Sequence, residues 1–167
     1  MLTPLLLASA TATPVAYDFR NWYVAETLVE GEKSCSFSLS PNFYGVTILY
    51  RPSQADFQVA IDSPAVHVLP TGPLVPLKIS IRGQVESVKG VRVDQQLFFP
   101  ISREMVDSGM NRKGMIQILL SHPSIGDRLI ARYRMSGAHY EASFDRFTEC
   151  RARIVAPLRM ASGSAPG

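Results

Sequence analysis

Cys35 and Cys150 are the chain's two cysteines, and most of the sequence with regular apolar patterning lies between them. In a reducing compartment two such residues stay as separate buried thiols; in an oxidising one they pair. Pairing requires α-carbons within about 7 Å. A bridge would therefore force the alternating segment that starts at Cys35 to meet the helical segment that carries Cys150. No CxxC is present, so thiol-redox catalysis has no motif behind it. Two cysteines this distant, with no clustered histidines, do not build a zinc site.

The chain opens MLTPLLLASATATP, with Leu5, Leu6 and Leu7 as an apolar centre and Ala10-Thr11-Ala12 as an A-x-A-like cleavage signal. This predicts a secretory signal over residues 1–12 and a periplasmic or secreted protein. The alternative is an apolar N-terminus with no targeting role, since no Lys or Arg precedes Arg20. No run approaches the ~18 apolar residues of a spanning helix, so no membrane span is expected. The 167 residues suit one domain, placed at 17–156, with a flexible tail at 157–167. Hydrophobic residues at 46% against charged residues at 19% describe a folded body rather than a disordered one. The net charge of +3 favours an acidic or anionic surface partner without specifying one.

Within the body, Cys35, Phe37 and Leu39 alternate with Ser36, Ser38 and Ser40. A period of two is the mark of a half-buried strand, and it points Cys35 inward. The same period recurs in 45–51, 56–62, 77–82 and 128–135, broken by Pro41-Asn42, Pro52-Ser53 and Ser63-Pro64. In 128–135 it sets Leu129, Ala131, Tyr133 and Met135 against Ile130, Arg132 and Arg134. Residues 17–29 read as a first strand, with Trp22 as a core anchor. The stretch from His67 to Pro76 reads as a loop. Residues 83–94 read as a strand pair turning at Lys89-Gly90, and 97–101 as a strand whose Pro100 confines it to an edge or an end. Ser102 has the form of a helix N-cap, with Glu104 in the first turn of a short helix closed at Gly109. The apolar run after Gly114 suits a strand covered on both faces.

Tyr140, Phe144, Phe147, Cys150 and Ile154 recur at helical spacing and give the last helix one apolar face. Pro157 is expected to end it. The fold class is therefore mainly β: an antiparallel β-sandwich-like or meander sheet of about seven to nine strands, with one C-terminal α-helix packed on it.

Chemistry-bearing residues are sparse. His67, His122 and His139 show no metal-ligand spacing. There is no G-x-S-x-G elbow and no glycine-rich phosphate loop. The carboxylate pairs Asp56/Asp62 and Asp145/Glu149 read as solvated surface charge. No cofactor or metal is called for by these residues. Arg128, Arg132 and Arg134, with Arg151 and Arg153, form the one candidate binding feature, a basic surface patch. A solvated sheet face that discourages edge pairing is its structural alternative. No stacking aromatics are interleaved with it as nucleic-acid binders require.

The opening Phe19-Arg20-Asn21-Trp22, the alternating strand from Cys35, and the closing Ser136-Gly137-Ala138…Phe147…Cys150 resemble small exported bacterial proteins of the invasion-associated locus B kind. The resemblance is carried by the two ends of the chain. It implies a β-sandwich-like fold and a non-catalytic role. The function expected is that of an exported envelope protein acting through surface binding or structural stability. A small hydrolase with a dispersed active site and a small-ligand carrier are the alternatives.

Overall fold

Two-residue turns with left-handed backbone set the course of the chain. The computed structural model describes residues 17–19, 22–39, 45–72, 74–122 and 126–162. Strands β1 (Tyr17–Phe19) and β2 (Trp22–Val29) are followed by β3 (Glu32–Leu39), joined to β2 through Glu30 at φ 51° and Gly31 at φ 80°. Paired positive φ values match the right-handed twist of a tight hairpin. β4 (Val46–Tyr50) and β5 (Phe57–Asp62) continue the meander. Helix α1 (Pro64–His67), capped by the Ser63 hydroxyl, then carries the chain away. β6 (Leu74–Ile81) and β7 (Gln84–Val93) turn at Arg82-Gly83, again with φ of 52° and 84°. β8 (Gln96–Ile101) fills the place beside β5. Helix α2 (Arg103–Gly109) crosses to β9 (Gly114–His122), which pairs with β6 and with β10 (Gly126–Met135). Helix α3 (Ala138–Ser162) closes the described chain.

The result is one antiparallel sheet in the order β1-β2-β3-β4-β5-β8-β7-β6-β9-β10. It has nine strands of five residues or more and the three-residue β1 at its edge. It curls into a half-barrel. The Tyr133 hydroxyl on β10 donates to the Gly45 carbonyl ahead of β4, and the Ser63 hydroxyl donates to Ile130 of β10, each at 3.1 Å. The mainly β, antiparallel class with one C-terminal helix on the sheet is the one the alternation predicts.

The core lies between the sheet and α3. Trp22 stacks on Phe37 with centroids 4.5 Å apart and meets Tyr140 edge-on at 5.2 Å. Phe37 stacks on Phe147 at 5.4 Å, and Phe147 reaches Phe57 at 6.0 Å. Such rings bury large apolar areas and favour offset or edge-on pairs. Tyr140, Phe144, Phe147, Cys150 and Ile154 are all buried, so the predicted apolar stripe faces the sheet. Cys35 and Cys150 form a disulfide with α-carbons 6.1 Å apart.

Several local expectations are corrected. The expected turn at Lys89-Gly90 is the interior of β7. A Cβ on Gly90 would lie 2.7 Å from Leu77 Cδ1 and 3.1 Å from the Phe98 carbonyl, so glycine serves close packing there. Pro157 does not end α3, which runs on to Ser162. The ring removes one N–H near the helix end, where few turns remain to be disrupted. In β10 the register shifts between Leu129 and Ala131, which turns Ile130 inward and leaves Leu129 exposed. A bulge breaks the period of two. On β9 the second face is only half-buried, at Met115, Gln117 and Leu119. The first expected strand is divided into β1 and β2, and α1 and the start of β6 occupy part of the expected 67–76 loop. Pro100 lies near the end of a central strand, past the last β7 partner at Phe98. Pro76 of β6 likewise precedes the first β9 partner, at Leu77. Each proline sits where its strand has one hydrogen-bonded neighbour. The leader 1–12, the Pro41-Asn42 turn, Arg20, Asn21, Pro123 and residues 163–167 of the tail lie outside the described residues.

Candidate functional site

The C-terminal half of α3 forms one wall of an open cleft of about 760 Å3. The opposite wall is the end of β4 with Tyr50 and Pro52, and the first residue of α2, Arg103. Helical spacing places Thr148, Arg151, Ala152, Val155 and Arg159 along the side of α3 that faces this gap. Ala156, Leu158 and Met160 extend the lining towards the helix end. The named lining holds three arginines and no carboxylate.

The disulfide fixes this geometry. Cys35 is the cross-strand partner of Tyr50, so bonding Cys150 to Cys35 brings Arg151 over the β4 end. The Arg151 guanidinium carbon is 4.8 Å from the Phe57 ring centre, 5.1 Å from Tyr50 and 5.6 Å from Phe147. Aromatic faces attract a cation at such distances. Arg151 also forms an ion pair with Asp107 of α2, Nη1 to Oδ1 at 2.7 Å. Its Nε is buried without a hydrogen-bond partner among the described residues. Arg103 stands 5.1 Å from the Tyr50 ring centre. It donates through Nε to the Ala55 carbonyl at 2.7 Å and through Nη2 to the Gln54 carbonyl at 2.6 Å. Two guanidinium groups thus share one tyrosine.

Beside the cleft, buried Arg51 donates to Glu30 at 2.9 Å and to Glu32 at 3.0 Å. Ser53 donates its amide and hydroxyl to Glu32 at 2.7 and 2.6 Å. Partial burial pushes the Glu32 carboxyl up, but the Ser53 and Arg51 donors together hold it below the usual range. This cluster braces the β2–β3 turn against the chain leaving β4.

The arginines of the expected basic patch lie on two elements, β10 and α3. Arg128, Arg132 and Arg134 are exposed on β10, with Arg132 beside Gln117 of β9. Arg151 lies in the cleft. Arg153 pairs with Glu26 of β2 at 3.0 Å, and this bond, with the nearby Lys33, holds the Glu26 carboxyl below its ordinary value. On α3, Arg151 is thus matched by Asp107 and Arg153 by Glu26. The partners missing from the sequence reading are Tyr50 and Arg103. The inward period of 46–50 was the only signal for Tyr50, and only the sheet register brings Arg103 to it.

The remaining candidates are dispersed. His67 Nε2 lies 2.6 Å from Asp62 Oδ1, and both side chains are half-buried. Ser63 sits between them in sequence, but its hydroxyl donates to Ile130 and accepts from the Val66 amide. That hydroxyl is thus spent on capping and on the β10 seam. His139 is exposed. Asp56 precedes β5 and Asp62 ends it, while Asp145 and Glu149 are exposed on α3. Burial raises the Tyr133 hydroxyl above its ordinary range, with the Asp62 charge adding to the effect, and burial alone raises Tyr140. Among the described residues no group of His, Cys, Asp and Glu is gathered as a metal site would require. Among them, too, no helix is long and apolar enough to cross a membrane. The chain matches no family model, no curated protein and no solved structure.

Proposed function

We propose that the protein is an exported, non-catalytic envelope protein that acts by binding, with the cleft between α3 and the β4–α2 rim as its working surface. The observation that carries this reading is the cleft itself: guanidinium groups from two separate elements meet on one aromatic side chain beside an apolar helix wall. Its volume of about 760 Å3 falls in the range of about 300–1,000 Å3 typical of small-molecule sites. The small-ligand carrier is therefore the more specific form of the reading.

Two things support export. A disulfide persists in oxidising compartments and is rare in the cytosol, and the leader has an apolar centre followed by a cleavage-like Ala10-Thr11-Ala12. The non-catalytic part rests on how the polar groups are used. Arg103 and Arg151 are engaged in carbonyl, carboxylate and ring contacts that hold the rim together. The Ser63 hydroxyl, adjacent to the His67–Asp62 pair, is directed to backbone groups instead of the imidazole.

Fractionation of expressing cells, with sequencing of the mature N-terminus, tests the export reading. The expected result is a periplasmic or secreted chain that begins just after Ala12. An intact Met1 in the cytosolic fraction would overturn it.

A further inference from the structure

We propose that the outer face of β7, β6, β9 and β10 docks on the surface of an anionic phospholipid bilayer. This is a second contact surface, on the side of the sheet turned away from the core, and it does not depend on the cleft.

The register lays this face out row by row. Leu77, Ile79, Ile116 and Ile118 are buried, so the residues that alternate with them point outward. One row reads Arg132, Gln117, Ser80 and Val85 across β10, β9, β6 and β7. The row beside it reads Leu129, Leu119, Lys78 and Ser87. Further along, Arg134 lies opposite Met115 and Lys89 opposite Pro76. Arg128 falls opposite Leu120, in the alternation of buried Leu77, so the β10 bulge removes it from this face.

The charge is one-sided. Asp127 neutralises Lys78, Nζ to Oδ2 at 3.1 Å. With its amide oxygen turned to β10, Gln117 accepts from Nη2 and Nε of Arg132 at 3.1 and 3.2 Å, a neutral partner that leaves the charge whole. Glu86 of β7 lies opposite buried Ile79 on the core side and accepts from the Ser102 hydroxyl at 2.8 Å. Glu141 pairs with Lys113 at 3.6 Å. Exposed Arg132, Arg134 and Lys89 therefore leave the face cationic. Val85 is 60% exposed and Leu129 42%. Apolar side chains set among cations suit a surface that is anionic at its headgroups and apolar just beneath them. An acidic protein matches the charge alone. A nucleic acid calls for aromatic rings between the cations, and these rows hold none.

The test sediments the oxidised full-length chain with vesicles of equal phosphatidylglycerol and phosphatidylcholine, and with vesicles of phosphatidylcholine alone, at low salt. Each basic side chain near an anionic membrane is worth about fivefold in partition, so the mixed vesicles should be preferred by about a hundredfold. Salt at about 0.5 M should release the protein, because screening cuts the reach of its charges to about 4 Å. Arg134→Gln should cost about fivefold, and the double variant with Arg132→Gln about twenty-five-fold. Arg153→Gln removes the same charge from α3, across the sheet, and should leave binding within about twofold. Val85→Thr keeps a β-branched side chain in β7. It should weaken vesicle binding about threefold and leave retention on a heparin column unchanged. Melting curves identify any variant that has lost its fold, and Arg134→Gln and Val85→Thr, both at exposed positions, report independently. The proposal is overturned by equal binding to the two vesicle types or by undiminished binding of the double variant, as an apolar N-terminus acting alone would give. It is also overturned if Arg153→Gln costs as much as Arg134→Gln, since net charge alone would then act. Heparin retention through the two β10 arginines without vesicle binding would assign the face to a soluble polyanion and overturn the bilayer reading. An exported chain that ignores both vesicles loses only this inference, and a cytosolic chain that binds the mixed vesicles keeps it.

Discussion

Reduction of the Cys35–Cys150 bridge should cost this fold a large part of its stability. The two sulfurs close a loop spanning 115 residues. Cross-linking over that length lowers the entropy of the unfolded chain, and the loop-closure relation gives about 4.8 kcal/mol as an upper figure. That corresponds to roughly three thousandfold in the folding equilibrium, at about 1.4 kcal/mol per decade. A domain of this size has about 5–15 kcal/mol in total, so the reduced protein should stand near its unfolding threshold at ambient temperature. Comparing oxidised with reduced wild-type protein isolates the loop, because both keep their sulfur atoms in the core. A Cys-to-Ala pair would add packing losses at two sites that are 0% and 2% exposed. Urea unfolding followed by Trp22 fluorescence suits the measurement, since that ring is 5% exposed and stacks on Phe37 under α3. The reduced protein should also show a steeper denaturant slope, because its unfolded chain is less compact. A loss under about 1 kcal/mol with an unchanged slope would refute the argument, since a constraint on so long a loop must register in the unfolded state.

Gly90→Val should destabilise by about 1–3 kcal/mol, because its Cβ would meet Leu77 Cδ1 at 2.7 Å and the Phe98 carbonyl at 3.1 Å; a thermal melt within error of wild type would contradict the packing role. Tyr140→Phe should cost about 1–2 kcal/mol, since the buried hydroxyl donates to the Met110 carbonyl at 2.5 Å, and equilibrium unfolding measures it. Glu26 and Glu32 are both held below the ordinary carboxylate range, so the unfolded chain takes up protons first as acid is added. The stability they confer is complete above that range and disappears as pH falls through their folded values. Melting temperature against pH should therefore drop on the acid side, and Glu32→Gln should make that limb shallower.

Most of the strand pattern could be read from the sequence, for a physical reason. A sheet with one face on the core imposes a period of two, and Cys35-Phe37-Leu39, Phe57-Val59-Ile61 and Leu77-Ile79-Ile81 all show it. The α3 stripe from Tyr140 to Ile154 follows in the same way from one buried helix face, and it brought Cys150 to the sheet. What escaped were local departures that depend on neighbours. Gly90 looks like a turn until Leu77 and Phe98 are placed beside it. The bulge at Leu129 and Ala131 changes which residue faces inward without any change in composition. Pro157 reads as a stop, yet in the last turns of a long helix it removes only one hydrogen bond.

The cleft was less legible than the fold. Arg151 was singled out as part of a charged group on the surface, whereas the bridge next to it turns it onto Tyr50 and Phe57. Arg103 carried no signal, because its site exists only through the pairing of β5 with β8 and the placement of α2. The basic patch gathered arginines by charge, and the fold then set Arg151 against Tyr50 and Asp107 and Arg153 against Glu26. Charge is visible in a sequence, but the partner that directs it is set by the fold.

The protein is proposed to work as a bridged body in an oxidising compartment. Trapping thiols in intact cells tests this most directly: cells are quenched with a membrane-permeant alkylating agent, and unreduced peptides are mapped by mass spectrometry. The expected result is one linked peptide pair containing Cys35 and Cys150, recovered from the exported fraction. Finding both cysteines alkylated in freshly quenched cells would contradict it.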